Sequence, residues 1–141
     1  MQLSKLFTPI LAAVAGLVAP ASAQRIGPSH LCTPTGDGFC TLGVFSVSNP
    51  TGHFVTVYDS SCRWLGTLAN NDNPLPPSGT WTFHSQLPYT IELTIDRPDD
   101  RQARGYFWYK GRQTILDSGF RSNCNDADDW TSCLRVAFNC S

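Results

Sequence analysis

Two histidines, one carboxylate and a set of arginines are the residues in this chain whose types could do chemistry. His53 and His84 each flank a run of β-forming residues, and Glu92 falls on the polar side of a third run. A histidine pair, or a histidine beside a carboxylate, can act as general acid and base at a scissile bond. With Arg97 or Arg112 binding phosphate, such a group would cleave RNA or an ester. The linear order carries no stronger signal. The chain has no G-x-S-x-G, H-E-x-x-H or Cys–His signature, whose spacing would by itself place a nucleophile or a metal. The plainer reading makes both histidines surface residues at strand ends.

Cysteine offers the second chemistry. The six are Cys32, Cys40, Cys62, Cys124, Cys133 and Cys140. Structural zinc sites use close pairs such as C-x-x-C, and none occurs here. An even count in an exported chain reads as a disulfide framework, so three bridges and no metal are expected. Six cysteines allow roughly 15 pairings. One pair is excluded by reach: "CLRVAFNC" reads as a strand, and seven steps at ~3.3 Å separate Cys133 from Cys140 by roughly 23 Å. A bridge needs Cα atoms within ~7 Å. The other pairings stay open. The acidic group Asp126, Asp128 and Asp129 suggests calcium, but counting from Asn123 puts Ala127 at position 5 and Leu134 at position 12. That breaks the calcium-loop pattern. A short helix over 126–131, capped by Asn125, is the expectation instead.

The N-terminus implies export. "MQLSKLFTPILAAVAGLVAPASAQ" holds one charge, Lys5, then an apolar run over 6–18 and small residues at Ala21, Ser22 and Ala23. This is the layout of a signal peptide, too short for a ~20-residue membrane span. The reading is a cleaved leader over 1–23 and one domain over 24–141, secreted to the extracellular space such as a host apoplast. Removing the leader takes away Lys5 alone, leaving nine of the ten basic residues against eleven acidic ones, a net charge of −2. That balance gives no general attraction to nucleic acid or to an anionic membrane.

The elements that must position these residues are strands. In "LPYTIELTID", Tyr89, Ile91, Leu93 and Ile95 alternate with Thr90, Glu92, Thr94 and Asp96, a period of two with one face buried. Runs at 42–48, 53–58, 63–68, 79–84, 105–110, 112–117 and 133–139 are rich in aromatic and β-branched residues. "NPTG", "NNDNPLPPSG", "DRPDDRQAR" and "YKGRQ" separate them as turns and loops. The fold class expected is all-β: a small disulfide-stabilised antiparallel β-sandwich or barrel with at most one short helix, near the C-terminus. "YFWY" over 106–109 puts aromatics on both faces of one strand, as a central strand covered on both sides would; an open face for stacking sugars is the functional alternative. The charged loop 96–104 bears Arg97, Arg101 and Arg104, which are taken as candidate contact residues at a hairpin tip.

The leader, "VYDSSCRWLGTL", "SGTWTFHSQLPYTIELT", and "YFWYKGRQ" leading to a cysteine-rich tail ending "FNC" together resemble the small secreted cysteine-rich proteins of filamentous fungi, many of them effector candidates of plant pathogens. The resemblance implies a host-interacting virulence or avirulence protein without catalytic residues. The expectation is a monomer that binds a host protein or cell-wall glycan and uses no cofactor. A secreted ribonuclease-like hydrolase and an antimicrobial or killer-type toxin are the alternatives.

Overall fold

Runs of β-branched and aromatic residues cut by turn residues fold into antiparallel sheets, as their alternation requires. The computed structural model describes residues 32–48, 50–69, 73–96, 102–122, 124 and 130–141. The leader, most of the 96–104 loop and the acidic group 126–129 lie outside the described residues. Among the described residues there are nine strands: β1 (Phe39–Ser48), β2 (Thr51–Tyr58), β3 (Trp64–Leu68), β4 (Gly79–Phe83), β5 (Ile91–Asp96), β6 (Arg104–Tyr109), β7 (Arg112–Ile115), β8 (Phe120–Ser122) and β9 (Trp130–Asn139). A 3-10 turn spans Leu116–Ser118. No helix among the described residues is long and apolar enough to cross a membrane.

The strands form two layers. The five-stranded sheet runs β3-β2-β1-β9-β8 and the four-stranded sheet β4-β5-β6-β7, and the pairs are antiparallel throughout. The chain lays down β1–β3, crosses to build the second sheet as a meander, and returns as β8 and β9 beside β1. Leu42, Val44, Val55, Val57, Leu134, Val136 and Phe138 from the first sheet meet Phe83, Ile91, Leu93, Ile95, Phe107 and Tyr109 from the second. Phe138 locks the layers, with its ring edge-on to Phe107 and to Tyr109 at 5.1 and 5.4 Å. Burying each such aliphatic or aromatic side chain is worth about 1.5–3 kcal/mol.

The middle of the five-stranded sheet is buried on both faces, so β1 and β2 are buried almost without interruption, while its outer face opens at Phe120 and Ala137 on β8 and β9. On its outer side Phe45, Val47, Phe54, Tyr58, Cys124 and Cys133 make a second, smaller core. Phe45 and Phe54, directly paired across β1 and β2, stack with ring centroids 4.0 Å apart. Two disulfides sit in or against this layer, Cys32–Cys62 and Cys124–Cys133; the third, Cys40–Cys140, ties β1 to the end of the chain. All six cysteines are bridged, and Cys133 does not pair with Cys140, as the strand length demands.

Two local expectations are corrected and one strand is added. The alternating run at 87–96 becomes strand only from Ile91; Tyr89 precedes it in a bend and is half exposed. The helix expected over 126–131 loses its end to β9, which starts at Trp130; the rest of it lies outside the described residues. And β8, three residues long, carries too short a pattern to be read from sequence.

The turn before β3 depends on one carboxylate. Asp59 accepts the backbone N–H groups of Ser61 and Arg63 at 2.9 Å each, and the Arg63 Nε–H at 2.9 Å. These bonds hold the loop in which Cys62 adopts a φ of 63°, a region costly for any residue but glycine. The Arg63 backbone N–H, ahead of the Ser61 N–H and the guanidinium, draws the Asp59 carboxyl below its ordinary value of 3.8. The folded chain therefore holds this proton less tightly than the unfolded one, so the contribution is complete above pH 3.8 and lost as pH falls through the lower folded value. Asp59→Ala is expected to cost about 1 kcal/mol in urea denaturation at pH 7 and to show a smaller loss than wild type between pH 4 and pH 2. Equal acid sensitivity of the two proteins would remove Asp59 from this role.

Candidate functional site

The acid–base constellation does not assemble. His53 is fully buried, at 0% exposure. Its Nδ1 lies 3.1 Å from the Ser46 hydroxyl and its Nε2 3.2 Å from the Pro77 carbonyl oxygen. A carbonyl only accepts, so Nε2 carries the proton and Nδ1 accepts from Ser46. The surface position expected for His53 is thus wrong, for a tertiary reason: the segment around Leu75 folds over this end of β2 and pairs with the His53 backbone through both N–H and C=O. A histidine sealed in this way cannot reach a substrate. His84 is exposed just past β4, and Glu92 faces away from the core on the other layer, so His53 and Glu92 form no dyad.

Of the three contact arginines, Arg104 opens β6, is exposed, and stands in register opposite Asp96. Arg97 and Arg101 lie outside the described residues. Arg112 is exposed at the start of β7.

The four-stranded sheet differs from its partner: among the described residues no second core packs on its outer face. The strand expected to be covered on both sides, "YFWY", is covered on one. Phe107 and Tyr109 enter the core, while Tyr106 and Trp108 stay 37% and 40% exposed. Antiparallel register fixes their neighbours. Glu92 and Gln113 flank Trp108, Thr94 and Ile115 flank Tyr106, and Thr82 and Thr80 continue the two rows on β4. The Thr80 and Thr94 hydroxyls bond each other at 3.0 Å. The face therefore presents two flat rings in a field of hydroxyls, an amide and a carboxylate. No ion pair or hydrogen bond ties down Glu92 among the described residues.

At one end of this face lies an open cleft of about 350 Å³ lined by Tyr89, Thr90, Glu92, Trp108, Lys110 and Gly111. The β6–β7 hairpin shapes it. Lys110 and Gly111 have φ of 52° and 72°, the two consecutive left-handed residues of a tight hairpin turn between Tyr109 and Arg112. This conformation throws the Lys110 side chain over the Tyr89 ring, 5.6 Å from its centroid, where its ammonium donates to the Ser141 carbonyl at 2.9 Å. Tyr89 is propped from below by Tyr109, ring edge to ring face at 5.9 Å. Burial pushes the Tyr109 phenol above its ordinary value of 10.0, and the buried hydroxyl has no hydrogen-bond partner among the described residues. Tyr109 is therefore a neutral, structural support.

Two further clefts flank the molecule. One, lined by Tyr109, Lys110, Arg112, Asn139 and Ser141, shares the hairpin tip. In the other, Arg135 lies 4.4 Å over the Phe120 ring and donates to the Thr33 hydroxyl, so its guanidinium is committed to the fold. Comparison of the chain with protein-family models, with curated proteins and with solved structures finds no match.

Proposed function

We propose that the chain is a secreted, non-enzymatic binding protein, an effector of the small cysteine-rich type that its sequence resembles, acting by contact with a host protein or cell-wall glycan. The observation that carries this reading is the bare outer face of the four-stranded sheet, with Tyr106 and Trp108 exposed among polar side chains. Exposed aromatic rings on a rigid sheet lose little freedom on binding, and a sheet cross-linked by disulfides suits an extracellular setting. Arg104 supports the reading from the same strand, exposed with the alternation of Tyr106 and Trp108. The burial of His53 removes one leg of the hydrolase alternative.

The test uses the processed chain, residues 24–141, immobilised and offered host cell-wall material and host extracellular proteins in separate arms. Retention is expected in one arm, and charge reversal of Arg97, Arg101 and Arg104 to glutamate is expected to reduce it at least tenfold while the melting temperature holds. Absence of retention in both arms, or degradation of RNA by the pure protein that disappears on His84→Ala, would overturn the reading.

A further inference from the structure

We propose that the cleft between Tyr89 and Trp108 is a saccharide site that takes a neutral, β-linked pyranose oligomer, with Trp108 as stacking platform and Glu92 as hydrogen-bond acceptor. The inference rests on the binding-protein reading and names its ligand.

Charge selects the class. The cleft holds a carboxylate, Glu92, and an ammonium, Lys110. Glu92 opposes an anionic ligand and Lys110 a cationic one, so the occupant is neutral overall but rich in both donors and acceptors. Shape narrows it further. Trp108 offers a flat apolar surface flanked in register by Glu92 on one strand and Gln113 on the other. A pyranose whose substituents are equatorial has the complementary form, with an apolar C–H face and hydroxyls around its rim. Its face covers the indole, and its rim hydroxyls donate to Glu92 and exchange hydrogen bonds with Gln113.

Extension beyond one sugar follows from the strand. Tyr106 lies two residues before Trp108 on the same face, about 7 Å away at the rise of a β-strand, so a neighbouring sugar unit meets a second ring. Thr94 borders that ring on one side and Ile115 on the other, and the Thr94 hydroxyl is bonded to that of Thr80 on the next strand. The cleft also has its shape before a ligand arrives. Lys110 is anchored to Ser141, Tyr89 sits between Lys110 and Tyr109, and the hairpin turn is fixed. Such preorganisation cuts the ordering cost of binding.

The experiment titrates residues 24–141 with hexamers of β-1,4-linked N-acetylglucosamine, β-1,4-linked glucose and β-1,3-linked glucose, with α-1,4-linked glucose hexamer as contrast, reading tryptophan fluorescence and calorimetric heat. Saturable binding of at least one β-linked hexamer is expected, accompanied by a blue shift of the emission. Trp108→Ala is expected to weaken it at least a hundredfold and Glu92→Gln about tenfold, with melting temperatures unchanged because both side chains face solvent. Binding that survives Trp108→Ala, or no binding of any hexamer to the folded protein, overturns the assignment. The two readings fail separately. If no saccharide binds but capture of a host protein is lost with Trp108→Ala, the saccharide assignment falls and the binding-protein reading stands. If neither arm depends on this face, both fall.

Discussion

Replacing Cys40 and Cys140 together by alanine is expected to lower stability by about 4 kcal/mol, the largest effect of any single bridge. This disulfide closes a loop of sequence separation 100, against 30 for Cys32–Cys62 and 9 for Cys124–Cys133. In the chain-entropy account the benefit of a cross-link grows with the loop it closes, to about 4.7 kcal/mol for 100 residues and about 2.5 kcal/mol for a loop near ten. The position adds to it. Cys40 is buried in the main core beside Leu42 and Phe138, and the main chain of Cys140 is bonded to Gly38. Small domains have a total stability of roughly 5–15 kcal/mol, so the loss takes a large share. At about 3–5 °C per kcal/mol for a domain of this size, the melting temperature should fall by roughly 12–20 °C. Circular dichroism melts of the double variant, with mass spectrometry confirming the other two bridges, make the measurement. A melting temperature within a few degrees of wild type would show that the sheets hold together without this link.

Gly105→Ala is expected to cost about 3 kcal/mol of stability and to weaken ligand binding with it. Gly105 has a φ of 132°, and a Cβ added there would come 2.1 Å from the Thr94 carbonyl oxygen and 3.2 Å from the Ile95 Cα. Both are backbone atoms of the neighbouring strand, so no rotamer change relieves the clash; β5 and β6 must separate. Those two strands carry Glu92 opposite Trp108 and Thr94 opposite Tyr106, so the substitution disturbs the proposed contact face at its centre. Gly111→Ala separates steric exclusion from backbone strain. Gly111 also has a positive φ, 72°, but nothing lies within 4 Å of an added Cβ, and about 1 kcal/mol from strain alone is expected. Equal losses at the two positions would mean that the close approach of β5 and β6 has no special role.

Both effects concern contacts between residues far apart in the chain or on neighbouring strands, and this is where sequence reading thins out. Eight of the strands were legible because side-chain alternation is a local property: Ile91, Leu93 and Ile95 declare a buried face without reference to the rest of the fold. The Lys110–Gly111 turn was legible for the same reason, since a glycine between two strong strands marks a tight reversal. Tyr89 extends that alternation in sequence yet lies outside the strand, because the pairing that defines β5 starts with Ile91 opposite Phe83 and Tyr109. His53 looks like a strand-end surface residue until the segment around Leu75 covers it. The contact face was half legible. The polar alternation of Glu92 and Thr94 announces a wet face, but that Tyr106 and Trp108 share it follows only from the register of β6 against β5.

By itself, then, the amino-acid order determined an all-β chain, the positions of most strands and turns, and the impossibility of a Cys133–Cys140 bridge, each a consequence of alternation or reach within a single stretch. Tertiary structure alone decided the three pairings, the burial of His53, and which aromatics remain exposed. Among the described residues, the five-stranded sheet gains a second core on its outer side and the four-stranded sheet does not. The physical reason is that burial is set by what packs on top, and the covering residues lie far away in the chain: Leu75 over His53, and Cys124 beside Phe45 and Phe54.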